Sequence, residues 1–453
     1  MGIAHSRSRR TAVACVTAAL TAFAVGACGG SSNSAKSYGA GSGSGRAAGH
    51  FTVLVYGDAE NKVERYAVNT YNATPEGKKV KAVLQTIPGA DYQAKLQTIM
   101  SSSAAPDVFF NWGGGSIEQF QQAGLLMPLN GFFKQDPALK SSFLPSILDA
   151  AKIGSDYYGI PMRGTQPVVL FYNKSVLAAN HLTPPATWGQ LLHDVAVLKS
   201  APGIQAPIAL GGGDQWPTQM WYEYVYDRVA GPGLVTKALD GDTSVWNSAA
   251  SKTALGDLKQ LVNSGAFGAH GSWDSIKFTD NDSPKMLETG RSAFELMGSW
   301  EYSTQQTINA SFAKNDLGYT AFPTIPGGAG NAADLVGNTE NYYSVLKNTR
   351  YPQAVADFLK VMYSPGFVKR EMAIGNLTTT TNTPQFIKTS ATPAWLQWQY
   401  NLVKNAPAFQ LSWDQAWPQT DTNTIHTAVA QYFDNLNPSA FISAMQGLQS
   451  PTK

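Results

Sequence analysis

The sequence is poor in cysteine and in charge. Of its 453 residues only two are cysteines, Cys15 and Cys28, and 14% are Asp, Glu, Lys or Arg. If the N-terminal segment is removed as argued below, no pair of cysteines is left for a disulfide, and stability must come from a buried core. The formal charge of +2 then becomes −1, because three arginines are lost, which disfavours a nucleic-acid partner. Eleven tryptophans and nineteen tyrosines favour contact with neutral polar molecules instead.

Motifs for catalysis, metals and cofactors are also missing. The six histidines show no metal-ligand spacing, and HExxH is absent. "EGKKV" lacks the glycine and hydroxyl of a Walker-type phosphate loop, and "GSGSG" has glycine where a nucleophile elbow needs serine. A retaining glycosidase needs two carboxylates about 5 Å apart. The available acids lie in no recognisable catalytic context: Glu223, Asp282, Glu288, Glu295 and Glu301. We therefore expect a binding protein without a cofactor or a metal, with a glycoside hydrolase as the alternative.

Residues 1–27 have the pattern of a secretory signal peptide. Three arginines precede an uncharged apolar run that is short for a membrane span: Arg7, Arg9, Arg10 and then Ala12–Ala27. "VGAC", ending at Cys28, resembles the bacterial lipobox, in which the cysteine is diacylated. A standard cleavage site beside an incidental cysteine is the alternative, and the arginine pair also permits twin-arginine export. Residues 28–50 are rich in Gly and Ser and predict a flexible tether. We expect a lipid-anchored protein on the extracellular face of the cell membrane.

Short apolar runs alternate with helical patterns after the tether. Strands are predicted at Phe51–Tyr56, Lys79–Thr86 and Val108–Phe110, with helical segments between them. Such alternation predicts crossovers and a mainly parallel sheet. A further strand at Pro167–Asn173 precedes a helix that begins with a capping box of Thr187 and Gln190. The sequence therefore predicts an α/β protein with at least two lobes.

The stretch "PDVFFNWGGG", residues 106–115, ends a predicted strand with an amide, an indole and three glycines. Phosphate binding, carbohydrate stacking and a tight turn are all compatible with it, although no Lys or Arg lies near the glycines. Ser116 and Gln119 are spaced as a capping box for the next helix. Asn111 and Trp112 can meet the hydroxyls and the ring face of a sugar, and the pattern does not decide which of them does.

Five stretches, in this order, resemble the extracellular solute-binding proteins of carbohydrate ABC importers, the class that includes maltose-binding proteins. They are "YYGIPMRGTQPVVLFYNKSVL" (157–177), "LTPPATWGQLLHDVAVLK" (182–199), "GRSAFELMGSW" (290–300), "AFPTIPGG" (321–328) and "NYYSVLKNTRYPQAVADFLKVMYS" (341–364). The resemblance implies a type II periplasmic-binding-protein fold, with a ligand cleft between two lobes joined by crossover segments. We expect residues 51–163 and 320–342 in the N-terminal lobe, and 164–319 and 343–453 in the C-terminal lobe. It also implies a monomer that delivers its ligand to a membrane permease by hinge closure.

The resemblance places a sugar-stacking aromatic at Trp300. Trp300 also follows the predicted strand 293–297, and ligands of open α/β sheets bind beyond strand ends. The resemblance places Trp413 on the second-lobe side of the cleft. The residue pattern adds Asp214 and Trp216, which precede a helix at the expected cleft edge.

Polar residues near the expected lobe junction complete the candidate set. Asp58 and Glu60 follow the first strand and can face a ligand or cap the next helix. Arg163 can donate to vicinal hydroxyls or pair with a carboxylate at the hinge. Asn338 and Glu340 lie near the third crossover. Indoles combined with hydrogen-bonding side chains predict a neutral oligosaccharide. The "FFNWGGGSI" stretch looks like receptors for plant-polysaccharide fragments, with xylobiose or xylo-oligosaccharides as the lead, and a polyamine-like ligand is the alternative.

Overall fold

The computed structural model describes residues 49–449. Its strands, in chain order, are β1 (His50–Gly57), β2 (Lys81–Pro88), β3 (Val108–Asn111), β4 (Lys152–Ile153), β5 (Asp156–Tyr157), β6 (Ile160–Pro161), β7 (Gln166–Asn173), β8 (Ile208–Ala209), β9 (Phe294–Gly298), β10 (Leu317–Thr320), β11 (Leu335–Asn338), β12 (Tyr342–Val345) and β13 (Phe409–Leu411).

The helices surround these strands on both sides of the lobe junction. In chain order they are α1 (Asn61–Ala73), α2 (Pro75–Lys79), α3 (Tyr92–Met100), α4 (Gly115–Gln122), α5 (Asn130–Gln135), α6 (Pro137–Ser141), α7 (Pro145–Asp149), α8 (Lys174–Ala179), α9 (Trp188–Leu198), α10 (Trp216–Ala230), α11 (Pro232–Leu239), α12 (Ala249–Asn263), α13 (Asp282–Glu288), α14 (Glu301–Ile308), α15 (Ala310–Asn315), α16 (Pro352–Leu359), α17 (Pro365–Ala373), α18 (Thr383–Ile387), α19 (Pro393–Asn405), α20 (Trp413–Ala416), α21 (Gln419–Asn435) and α22 (Pro438–Gln446). No helix within residues 49–449 is long and apolar enough to cross a bilayer.

The first lobe is built on a sheet of order β2-β1-β3-β12-β6. β1 pairs in parallel with β2 and β3, and β12 runs antiparallel to β3. Phe51, Val53 and Val55 of β1 are fully buried, as the apolar run predicts. The three strands predicted first are confirmed, and their carboxyl ends meet at one edge of this sheet.

The second lobe contains the sheet β13-β11-β7-β9-β8, with β10 also paired to β7. β7 runs antiparallel to β9, β10 and β11, so the expected parallel arrangement is wrong for the centre of this sheet. The reason is that β7 continues straight out of a crossover from the first lobe, without an intervening helix, and so runs against its neighbours. The capping box of Thr187 and Gln190 at the start of α9 is confirmed.

Each lobe has its own core, and the residues in the two cores place the lobe boundaries differently from the sequence-based expectation. Leu335 and Val336 of β11 pair with second-lobe strands, whereas Tyr343 of β12 and Phe358 of α16 pack into the first core. The chain therefore returns to the first lobe between β11 and β12, and leaves it again near α17. Residues 320–338 belong to the second lobe and 342–359 to the first. The predicted signal peptide, the predicted acylation site at Cys28 and most of the predicted tether lie outside the described residues.

Candidate functional site

The cleft lies between the strand ends of the first lobe and the starts of α10 and α14 in the second. Ser303 in α14 donates from Oγ to Oε1 of Glu60 in the first lobe at 3.4 Å. Burial raises the pKa of Tyr56 at the end of β1, and the charges of Asp58 and Asp214 add to that shift. The charge of Asp214 in the second lobe therefore acts on a residue of the first, and the Ser303–Glu60 bond brings the segments around Glu60 and Trp300 together across the cleft.

Two indoles in the second lobe lie side by side at this cleft. The rings of Trp216 and Trp300 are 6.1 Å apart at 61°, and both remain partly exposed. Trp216 also packs edge-on against Phe278 at 5.4 Å. A Cβ at Gly298 would overlap the Trp300 ring, so glycine at the end of β9 lets the indole lie across the strand end. The pair forms an aromatic corner held by its own lobe, with apolar surface available to a ligand.

Asp214, predicted beside this corner, has both carboxylate oxygens engaged. Oδ2 accepts from the Thr279 backbone N–H at 2.9 Å, and Oδ1 accepts from Thr279 Oγ at 2.8 Å. The carboxylate is thereby fixed in orientation next to Trp216. Its remaining lone pairs can accept from a ligand hydroxyl.

Arg163 is buried at the hinge and pairs with three carboxylates of the first lobe. Its Nη1 lies 2.6 Å from Asp58 Oδ2 and 3.2 Å from Glu60 Oε2, and its Nη2 lies 2.6 Å from Glu64 Oε1. The guanidinium also lies over the Phe110 ring at 4.9 Å. Of the two roles left open by the sequence, pairing with carboxylates is the one that the structure shows.

Burial raises the pKa of both Glu60 and Glu64, and Arg163 opposes that shift. The arginine thus stabilises the ionised form of these acids, which burial disfavours. Asp58 also accepts from the Glu60 backbone N–H at 2.9 Å. Glu64 was missed by sequence reasoning, although its position one helical turn after Glu60 was a usable signal.

Glu340 ties the crossovers together. Its Oε1 accepts from three backbone N–H groups, those of Arg163 (3.2 Å), Gly164 (2.5 Å) and Asn341 (2.8 Å). Its Oε2 accepts from Thr379 Oγ at 2.6 Å. Burial raises the pKa of Glu340 to about 7 against the effect of these donors. The neighbouring candidate, Asn338, donates to Gln166 Oε1 at 3.3 Å. Both candidates therefore act within the hinge in this conformation.

Asn111 and Trp112 differ in how much of each side chain is available to a ligand. Asn111 is buried, donates to Ser344 Oγ at 2.8 Å and accepts from the Gly113 N–H at 2.9 Å. Trp112 is partly exposed and packs edge-to-face with Phe110 at 4.9 Å. The expected capping box at Ser116 is wrong, because α4 begins at Gly115 and Ser116 Oγ instead donates to the Gly113 carbonyl.

Trp413 lies in the core of the second lobe and not at the cleft surface. It is fully buried, with rings of Tyr222, Trp246 and Trp417 around it at 5.0 to 6.3 Å. Its backbone N–H donates to Glu223 Oε1 at 2.5 Å. The expectation that Trp413 contacts ligand is corrected accordingly, because the side chain is fully buried among other aromatic rings.

Two α/β lobes, three crossovers and a cleft with indoles define the architecture of a two-lobed binding protein. Solved structures agree on this fold. One is a protein of the thermophilic bacterium Caldanaerobius polysaccharolyticus studied for xylan utilisation (TM-score 0.77, 24% identity, 88% of this chain and 99% of that one). Another is a chitin oligosaccharide binding protein (TM-score 0.76, 22% identity, 88% and 97%).

Residues 57–369 match the bacterial extracellular solute-binding protein family, and the chain belongs to it. This membership places it among solute-binding proteins and not among enzymes. An uncharacterised ABC transporter extracellular-binding protein of Pyrococcus horikoshii is 25% identical over 288 residues. That alignment spans 63% of this chain and 62% of the relative.

Proposed function

We propose that the protein captures a neutral oligosaccharide in the cleft and delivers it to an ABC transporter permease by hinge closure. The observation that carries the proposal is the partly exposed corner of Trp216 and Trp300, with ring centroids 6.1 Å apart, in the lobe whose Ser303 donates to Glu60 of the first lobe. Pyranose rings present apolar C–H faces that stack on indoles, while hydroxyls pair with polar groups nearby. Closure follows because the ligand contacts both lobes only in the closed state.

Charge compensation favours a neutral ligand over a polyamine. The acids that would bind a cation in the first lobe already surround Arg163, at 2.6 to 3.2 Å. In the second lobe Thr279 donates to both oxygens of Asp214. A cationic ligand would therefore compete with bonds that are already made, whereas a hydroxyl can use the lone pairs that remain.

Xylobiose or a short xylo-oligosaccharide is the lead ligand. The "FFNWGGGSI" stretch supports this choice, and so does the fold shared with a protein studied for xylan utilisation. Selectivity would come from buried polar groups, because a hydroxyl left without a partner costs about 1–3 kcal/mol.

Lipid attachment at Cys28 and a tether up to residue 50 would hold the folded protein, as a monomer, on the extracellular face of the membrane. The lipobox-like "VGAC" is the support for the anchor. The family supports an extracellular site.

Titration calorimetry tests the ligand class. Wild-type protein is titrated with xylobiose to xylohexaose, with other neutral disaccharides and with spermidine. Heat is expected from at least one neutral sugar and none from spermidine. Heat from spermidine alone would refute the proposal.

A tryptophan substitution tests the binding site. Trp300→Ala should weaken sugar binding by at least about tenfold, equivalent to about 1.4 kcal/mol, because it removes a stacking face. Trp398→Ala is the matched control, since Trp398 is also partly exposed in the second lobe but packs on Trp395 and Tyr319. Unchanged affinity in Trp300→Ala, or an equal loss in the control, would refute this site.

A further inference from the structure

One side-chain bond crosses between the lobes beside Trp112. Nε2 of Gln419, the first residue of α21, donates to Oε1 of Gln93 in α3 at 3.3 Å. α3 packs in the first core through Leu96, and α21 packs in the second core through Ile425. The bond is long and joins two neutral groups, so it is the kind of contact that opens readily when the lobes separate.

Backbone contact brings the lobes together at the same place. An added Cβ at Gly114 would lie 2.9 Å from the Gln415 carbonyl oxygen, and one at Gly115 would overlap the Trp417 carbonyl. Side chains are thus excluded between the start of α4 and the segment that joins α20 to α21. The lobes meet here with no space for a sugar ring.

Trp112 lies at the edge of this contact among carboxamides. The cavity beside it measures about 10 Å³, room for a single water molecule, and Gln93, Gln97, Gln119 and Gln419 help to line it. Within residues 49–449 the side chains of Gln97 and Gln119 make no hydrogen bond of their own, so of these four carboxamides only Gln93 and Gln419 bond to each other between the lobes.

We propose that Gln93 and Gln419 determine ligand chain length by closing the Trp112 end of the cleft across both lobes. A bound oligosaccharide then ends at Trp112, and a longer chain must displace the Gln93–Gln419 bond to close the protein around itself. This inference rests on the proposed function and adds to it that the cleft has one closed end. Each carboxamide is neutral and offers both donors and an acceptor. The pair therefore disfavours long chains through its hydrogen bond and not through a charge.

The test measures affinity against chain length. Xylobiose, xylotetraose and xylohexaose are titrated into wild type, Gln93→Ala, Gln419→Ala and the double variant. Wild type should bind a short member of the series more tightly than xylohexaose. Each single variant should reduce that preference by about three- to tenfold, as expected for one ordinary hydrogen bond. The double variant should add little, because either single change already removes the bond.

Gln97→Ala is the matched control, since it removes a carboxamide one turn further along α3 that does not span the lobes. Its chain-length preference should equal that of wild type, and thermal unfolding should confirm that every variant is folded. Equal wild-type affinity for all lengths would overturn the proposal, and so would an unchanged preference in both single variants. Additive effects in the double variant, or a matching change in Gln97→Ala, would also overturn it. These results leave the proposed function standing, whereas no binding to any sugar would refute that function itself.

Discussion

Replacing Glu340 by alanine should destabilise the protein far more than replacing it by glutamine. The carboxylate is fully buried and accepts from the N–H groups of Arg163, Gly164 and Asn341, and from the Thr379 hydroxyl. These donors belong to three separate crossover segments. The Glu340 carboxylate is therefore the acceptor for three backbone N–H groups at the point where the crossovers join the two lobes.

The magnitude follows from the donors left without an acceptor. Alanine would leave three buried N–H groups unpaired, at about 1–3 kcal/mol each. Water entering the vacated space would recover part of that cost. Losing a carboxylate whose pKa is raised to about 7 would recover a little more. We expect a net loss of about 3–5 kcal/mol, a large share of a typical stability.

Glutamine keeps the shape and most of the bonds. Its Oε1 can still accept from the three N–H groups, while its Nε2 faces the Thr379 hydroxyl, which can rotate to accept. The expected loss is below about 1 kcal/mol. Exposed Glu76, at the start of α2, supplies the control substitution Glu76→Ala, which should change little.

Urea denaturation followed by tryptophan fluorescence measures these differences at fixed pH. A Glu340→Ala variant as stable as Glu340→Gln would show that the crossovers do not depend on this acceptor. An equal loss in both variants would show that the negative charge, and not the hydrogen-bond geometry, stabilises the hinge.

Three further outcomes are expected. Burial raises the pKa of Glu223 from 4.5 to about 8, so ionising this carboxyl costs more in the folded than in the unfolded state. Its contribution to the free energy of unfolding is therefore full below about pH 4.5 and is lost as the pH rises to about 8. The thermal midpoint of wild type should therefore decrease, relative to that of Glu223→Gln, as the pH is raised from about 5 to 8. Parallel pH profiles of the two proteins would refute this. Trp413→Ala should lower the free energy of unfolding by about 3–5 kcal/mol while the folded protein keeps its sugar affinity; a selective loss of affinity would return Trp413 to the site. Cys28→Ala should leave the protein without lipid by mass spectrometry of the membrane fraction, and lipid found on the variant would refute attachment there.

Local patterns predicted much of the fold because they depend on neighbouring residues. The strand at Phe51–Tyr56 is apolar enough to be buried in any α/β arrangement, and it is β1. The capping box of Thr187 and Gln190 uses groups three residues apart, and both of its bonds form. The similar pair at Ser116 and Gln119 failed because the glycines before it let the helix begin two residues earlier, at Gly115.

Long-range pairing could not be predicted in the same way. Asp58 and Arg163 are 105 residues apart, so their pairing depends on how β1 and the first crossover meet. Trp413 and Trp300 are both tryptophans after a short apolar run, yet one is fully buried and the other is partly exposed. The difference arises from the aromatic core around Trp413, which is assembled from distant segments. The return of β12 to the first lobe likewise depends on its pairing with β3.

The stretch "PDVFFNWGGG" shows how much one segment does for the proposed function. Its strand residues hold the first sheet, and Asn111 is committed to Ser344 and Gly113. The glycines are required by the second lobe, because any side chain at Gly115 would collide with Trp417. Trp112 is left as the partly exposed side chain beside that contact. Phosphate binding is therefore a poor explanation for the glycines, since Gly114 and Gly115 lie against protein carbonyl groups that would repel an anion.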